Sequence, residues 1–180
     1  MKKTKEPISN PAEFTERFIN QTNSPVFLTG KAGTGKTTLL RKIVETTHKN
    51  TVIVAPTGIA ALNAGGVTIH SFFQLPFSSF IPDFITEGLV HGNTKFESKE
   101  TLKRHFHFNK TRQNLIRNVE LLIIDEVSML RADLLDAIDW TLRNVRKNNL
   151  PFGGLQVLFI GDLLQLPPVI KPEEWSVLQK

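Results

Sequence analysis

The sequence predicts a three-layer α/β domain with a mostly parallel central sheet, and three observations carry that expectation. Two aliphatic runs, Leu121 to Ile124 and Val157 to Ile160, have strand length and are apolar at every position, as in strands covered on both faces. Val26 to Thr29, a helical stretch from Thr37 to about Thr47, and Val52 to Ala55 form a β-α-β unit near the N-terminus, which implies parallel strands and a right-handed crossover. The 180 residues are 40% hydrophobic and 22% charged, with 11 Gly and 10 Pro, the composition of one globular domain rather than a disordered or fibrous chain.

Taken in order, Pro11 to Gln21 reads as a short helix, with Asn10 as N-cap, Pro11 at the first helical position and Phe14 and Phe18 one turn apart. It belongs to an N-terminal helical segment over residues 1–23, and residues 24–180 form the main domain. After the β-α-β unit, residues 74–112 contain Pro76, Pro82, Gly88 and Gly92 with scattered Phe, an insertion of loops and short elements. The Leu121 to Ile124 strand comes next. Asp133 then caps a helix carrying Leu134, Leu135, Ile138, Leu142 and Val145 on one face. Gly153-Gly154 turns the chain into the last strand, Gln156 to Ile160.

The net charge of +5 would attract a polyanion, although solvated Lys and Arg alone reach such a value. No cysteine is present, so neither a disulfide framework nor a thiolate metal site is available. The basic opening from Met1 to Lys5 runs into Glu6-Pro7 and polar residues, without the apolar core of a secretory signal. The aliphatic runs fall far short of a membrane span. A soluble, cytoplasmic protein, bacterial in origin, is expected.

Gly30-Lys31-Ala32-Gly33-Thr34-Gly35-Lys36-Thr37 fits G-x-x-x-x-G-K-[ST] between a predicted strand and a predicted helix, the context that makes it a P-loop. Its backbone N–H groups, with Thr38 just beyond, would cradle phosphates at a helix N-terminus. Lys36 would place a cation on the β/γ-phosphates of ATP, and the Thr37 hydroxyl would ligate Mg²⁺. Asp125 and Glu126 end the Leu121 strand. There Asp125 would hold the hydrated metal and Glu126 would accept a proton from an attacking water; without a P-loop upstream, the same pair would read as a solvated strand end.

Gly161-Asp162-Leu163-Leu164-Gln165-Leu166-Pro167-Pro168 follows the last strand, on the sheet edge where ligands of open α/β sheets sit. Gln165 could hydrogen-bond a γ-phosphate, or simply face solvent. Ala55 to Ala61 passes from strand to helix, and Thr68 to Phe73 follows a Gly65-Gly66 turn. Such positions suit nucleic-acid phosphates, and His70 or Phe72 could contact a base or sugar, while a Phe pair is also an ordinary core feature. From Lys103 to Lys110 basic and aromatic residues alternate, as in a stacking platform or in a solvated loop over a small apolar cluster, the more common case. His105 and His107 lack a Cys partner and are not taken as a metal site.

Together, Gly30 to Thr37, Ala55 to Phe73, Leu121 to Leu130 and Phe152 to Val169 resemble motifs I, Ia with Ib, II and III of superfamily 1 DNA helicases, and most closely the petite-integration-frequency helicase family. Asp125-Glu126-Val127-Ser128-Met129-Leu130, continuing through Asp133 to Asp139, is similar to that family's stretch between motifs II and III. The resemblance covers residues 24–178 and implies a RecA-like domain with the Gln156 strand between the P-loop strand and the Leu121 strand. It implies ATP and Mg²⁺ as cofactors, Lys36, Glu126 and Gln165 in catalysis, Thr37 and Asp125 at the metal, and Thr57, Gly58, His70, Ser71 and Phe72 on single-stranded DNA. It further implies a 5′ to 3′ translocase, with relatives in genome maintenance including repair, recombination and telomere maintenance.

The helix from Pro11 to Asn20 lacks the family's adenine-reading glutamine at the expected place, so base preference stays open. The second RecA-like motor domain of the family, which carries the arginine finger, is expected beyond a sequence that stops soon after motif III. Such a finger is worth about 10³ to 10⁵ in rate, so weak or no ATPase and no unwinding are expected of these residues alone. A P-loop kinase is disfavoured by Glu126 and by Gly161 to Pro168. A non-catalytic binding module switched by ATP remains the other reading.

Overall fold

The computed structural model describes residues 10–83, 90–91, 94–106, 108–165, 167–172 and 174–175. The expectations on Met1 to Lys5, Gly88, Gly92, His107 and Leu166 lie outside these residues. The chain opens with α1 (Pro11–Gln21), β1 (Val26–Thr29), α2 (Lys36–Thr46) and β2 (Thr51–Ala55). In α1 the Asn10 side chain accepts from the Ala12 N–H at 3.0 Å, the cap that the sequence indicates. Next come α3 (Gly58–Ala64), β3 (Val67–Thr68) and α4 (Ile69–Phe73). The insertion contributes β4 (Ser79–Phe80), β5 (Val90–His91), β6 (Thr94–Glu97) and α5 (Lys99–Lys103). Then follow α6 (Lys110–Asn118), β7 (Leu121–Ile124), α7 (Ala132–Arg146) and β8 (Gln156–Gly161).

The main sheet has strand order β1-β8-β7-β2-β3 with every pairing parallel. The last strand therefore lies between the P-loop strand and β7, as expected. Strand β3 was not foreseen, because two residues carry no readable alternation. A small second sheet, β4-β6-β5, lies within the insertion.

Burial in β7 shows why the domain has three layers. Leu121 and Ile123 pack with Ile19 of α1 and with Leu40 and Ile43 of α2, while Leu122 and Ile124 pack with Ile116 of α6 and with Ile138 and Leu142 of α7. Alternate residues of a strand point to opposite faces, so a run apolar at every position requires helices on both sides. All four β7 side chains are fully buried, each worth about 1.5–3 kcal/mol.

One expectation is corrected. Asp133 is not the N-cap of α7; Arg131 holds that position without a side-chain cap. The Asp133 carboxylate in the first turn instead accepts from Arg131 Nε at 2.9 Å and from the Phe80 N–H at 3.2 Å, because a partly buried guanidinium competes for it. Of the two readings of Lys103 to Lys110, the structure has the more common one, a loop over a small apolar cluster. Phe106 stacks on Phe108 at 5.5 Å and leans on Trp140 at 5.3 Å, so the rings cover α7 and the loop is the lid of an apolar cluster.

At the sheet edge away from the motif loops, Lys49 Nζ donates to the Thr22 carbonyl and to Gln156 Oε1, each at 2.7 Å. Burial lowers its pKa from the ordinary 10.5. This clasp ties the α1–β1 connection to the start of β8.

Candidate functional site

Because the strands of the main sheet are parallel, the loops after β1, β2, β7 and β8 leave one edge together. Thr29, the last residue before the P-loop, is register partner to Gly161, and Ile124 lies between Val54 and Phe159. Residues more than a hundred positions apart thus share one rim.

The P-loop bends through Gly33 (φ 77°) and Gly35 (φ 86°), a left-handed backbone that glycine adopts without strain. A Cβ at either position would meet nothing within 4 Å, so the glycines serve the turn itself rather than a close contact. Gly35 caps α2 with no side-chain hydrogen bond, which leaves the first-turn N–H groups suited to an anion. Lys36 Nζ donates to the carbonyls of Gly30 at 2.6 Å and Lys31 at 2.9 Å, folded across the mouth of the loop. Lys31, Ala32, Thr34, Thr37 and Thr38 are exposed. These residues fit a triphosphate: a glycine turn open to solvent, first-turn N–H groups without a side-chain cap, and one cation whose hydrogen bonds, among the described residues, go to exchangeable backbone carbonyls.

Across the rim, Asp125 is half-buried, and its Oδ1 accepts from the Glu126 N–H at 3.0 Å. Burial raises the Asp125 pKa above the ordinary 3.8, while that N–H and the charge of Lys36 pull the other way. A carboxylate destabilised by burial gains from a cation beside it. Among the described residues no three His, Cys, Asp or Glu cluster as a metal site. A Mg²⁺ here would therefore take most of its ligands from phosphates and water, the usual arrangement for that ion at nucleotide sites. Glu126 has φ 53° and ψ 45°, a left-handed conformation uncommon for a non-glycine residue and frequent at functional positions. It sets the carboxylate at the start of a 3₁₀ turn, Val127–Met129. That turn presses so closely on β8 that a Cβ on Gly161 would lie 2.8 Å from Val127 Cγ1.

After β8, the nearly buried Asp162 shapes the exit by accepting the Leu164 N–H at 3.1 Å, and its carbonyl accepts the Gln165 N–H at 2.9 Å. Gln165 is exposed on this turn, on the same rim as the P-loop.

Next along the edge, Thr57 caps α3 by accepting from the Ala60 N–H at 3.2 Å, and Gly58 is exposed. Thr68 caps α4, accepting from the Ser71 N–H at 3.2 Å. Ser71 is exposed and His70 half-buried. Burial lowers the His70 pKa from 6.5, so its imidazole is neutral at pH 7. Phe72 departs from the expectation: it is 4% exposed, edge-on to Phe73 at 4.8 Å, and covered by the Arg112 guanidinium at 5.4 Å. It is a core residue and cannot reach a base. Sequence reading missed Arg112, whose Nη2 donates to the Ser71 carbonyl at 2.7 Å; a contact across 41 residues leaves no local signal. His105, considered for a metal, is 3.1 Å from Glu97.

A P-loop after one parallel strand and carboxylates after another, with a single strand between the two, define a P-loop domain of RecA-like type. Comparison with known proteins narrows this. The model of the PIF1-like helicase family matches residues 8–86 and 88–178, and the chain belongs to that family, whose relatives are named ATP-dependent DNA helicases. The ATP-dependent DNA helicase PIF1 of Saccharomyces cerevisiae is 40% identical over 151 residues, covering 81% of this chain and 16% of the yeast protein. Bacteroides Pif1 in complex with ADP-AlF4 superposes with a TM-score of 0.80 at 42% identity, covering 97% of this chain and 36% of that one. Bacteroides Pif1 bound to ssDNA gives 0.78 at the same identity and coverage. The chain spans 13–25% of the length of its curated relatives. Among the described residues no helix is long and apolar enough to cross a membrane.

Proposed function

We propose that residues 24–180 are the first motor domain of an ATP-dependent DNA helicase, and that they bind ATP with Mg²⁺ on the P-loop and one DNA strand along the adjoining edge. The observation that carries this reading is the convergence of four loops on one rim, with Thr29 paired to Gly161 and Asp125 within the field of Lys36. The Pif1 structures with ADP-AlF4 and with ssDNA support it by analogy.

In this reading the P-loop N–H groups bind and orient the phosphates, and Lys36 leaves the carbonyls of Gly30 and Lys31 for the β/γ oxygens. Thr37 and Asp125 would hold Mg²⁺, which supplies neutralisation of charge developing on those oxygens. Glu126 takes the proton from the attacking water. Gln165 senses the γ-phosphate from the β8 exit. Because an arginine finger contributes about 10³ to 10⁵ in rate, hydrolysis by this domain is slow until a second motor domain supplies one. Translocation from 5′ to 3′ is proposed for the whole helicase.

Thr57, Gly58, His70 and Ser71 line the strand's path. A fluorescence-anisotropy titration tests it: binding to unrelated single strands falls with salt as counterions are released, and His70→Ala with Ser71→Ala weakens all of them alike, since backbone contacts carry no base code. A double variant binding as tightly as wild type would remove these residues from the path.

A further inference from the structure

Phe77 is 91% exposed, the most exposed large apolar side chain among the described residues. It is also held in place. Helix α4 ends at Gln74 in a left-handed conformation (φ 51°), and the Leu75 N–H returns to the His70 carbonyl at 3.2 Å. This sharp turn, followed by Pro76, brings the Phe77 ring back over the His70 imidazole, with centroids 4.4 Å apart and planes 15° from parallel. One face of the phenyl ring is covered and the rest of the side chain faces outward.

The surroundings favour a nucleobase over a protein partner. Gln74, Pro76 and Ser78 add no second large exposed apolar side chain, whereas protein-docking patches are contiguous and extend over several hundred Å². Next to His70 lies Ser71, whose carbonyl is held by the partly exposed Arg112. A cleft of about 250 Å³ opens beside the ring, between Phe77, His70 and the Arg131–Asp133–Glu174 cluster. In that cluster Arg131 pairs with Asp133 at 2.9 Å and Glu174 at 2.8 Å, which leaves one net negative charge, so the phosphates would run on the Arg112 side of the ring rather than through this cleft. A cation, a hydroxyl and a stacked aromatic pair in succession make up the pattern of single-strand grooves, where aromatics stack bases and cations follow phosphates.

We propose that Phe77 is a stacking platform for one nucleobase of the bound single strand, with His70 as the positioning residue beneath it and Arg112 beside the neighbouring phosphate. This rests on the single-strand reading above and adds to it a residue that contacts a base. A neutral His70 suits the role, since a stacked imidazole need not carry charge to support the ring. Stacking accepts any base, so the contact supports translocation along arbitrary sequence.

The test uses the 180-residue chain at low salt, an oligothymidylate, an abasic strand of equal phosphate number, and an oligonucleotide carrying 2-aminopurine. Phe77→Ala should weaken oligothymidylate binding by about 5- to 150-fold, the usual range for one stacked base, and Phe77→Trp should restore it. On the abasic strand wild type and Phe77→Ala should bind alike. Stacking quenches 2-aminopurine emission, so quenching should appear with wild type and vanish with Phe77→Ala. The exposure of Phe77 means that truncation leaves the core intact. If Phe77→Ala binds the thymidylate strand as wild type does, with salt-dependent binding preserved, the strand path stands and the stacking role is overturned. If no strand binds wild type, the path itself fails, and the platform with it.

Discussion

Gly161→Ala puts the joint between the last strand and the Asp125-Glu126 turn under direct stress. The added methyl would lie 2.8 Å from Val127 Cγ1, 3.0 Å from the Val127 nitrogen and 3.2 Å from the Ser128 nitrogen, where ordinary contacts are 3.4–4 Å. The Val127 side chain can rotate away. The two backbone nitrogens cannot, so the 3₁₀ turn must retreat by a few tenths of an ångström, and Glu126, already at φ 53°, moves with it. Overpacking of this kind costs about 1–3 kcal/mol, which for a domain of this size lowers Tm by about 2–12 °C. Misplacing a catalytic group by ~1 Å costs about 100-fold, so slow hydrolysis should fall by up to that factor. ATP affinity, which the proposed function places on the loop between β1 and α2, should change far less. Thermal melting by circular dichroism and single-turnover hydrolysis with labelled ATP measure both effects. A variant with wild-type Tm and wild-type hydrolysis would refute the claim that the contact between Gly161 and the turn sets the position of Glu126.

Glu126→Gln should retain ATP·Mg²⁺ binding and lose the residual hydrolysis, because the proton acceptor alone is removed; wild-type turnover in that variant would assign the base elsewhere. Asp125→Asn should melt at or above the wild-type temperature while losing Mg²⁺-dependent nucleotide binding. The sign follows from burial: the folded-state pKa of Asp125 is raised, so the group favours folding at acidic pH and costs stability as pH rises through that pKa. A neutral amide removes the cost at neutral pH. A clearly lower Tm for Asp125→Asn at pH 7 would contradict this. For the same reason Mg²⁺-dependent binding by wild type should weaken as pH falls toward the raised pKa, since metal and proton compete for one carboxylate.

Much of this was legible in the sequence because it is written in local patterns. The P-loop spacing, the Asn10 cap and the four-residue apolar run of β7 each follow from residues within a few positions of one another. The position of β8 between β1 and β7 was available only through the family resemblance, since strand order depends on pairings between residues about 130 positions apart. Asp133 was misread because its partner Arg131, which also pairs with Glu174 at the far end of the chain, is not a local capping signal. Phe72 and Phe77 show the same limit from opposite sides. Both are phenylalanines near a short helix, and only the turn at Gln74 and the cover supplied by Arg112 send one into the core and the other onto the surface.

Calorimetric titration measures whether the rim holds ATP with Mg²⁺ through Lys36. ATP should bind the wild-type chain, more tightly with Mg²⁺ present than absent. Lys36→Ala should remove at least about 10-fold in affinity, since a hydrogen bond to a charged group contributes about 1.5–3 kcal/mol and the role proposed for this lysine is at the phosphates rather than in the core. Its melting temperature should stay close to that of wild type, because Lys36 contacts only the carbonyls of Gly30 and Lys31 among the hydrogen bonds of the described residues. A folded Lys36→Ala variant that binds ATP·Mg²⁺ with wild-type affinity would contradict the account.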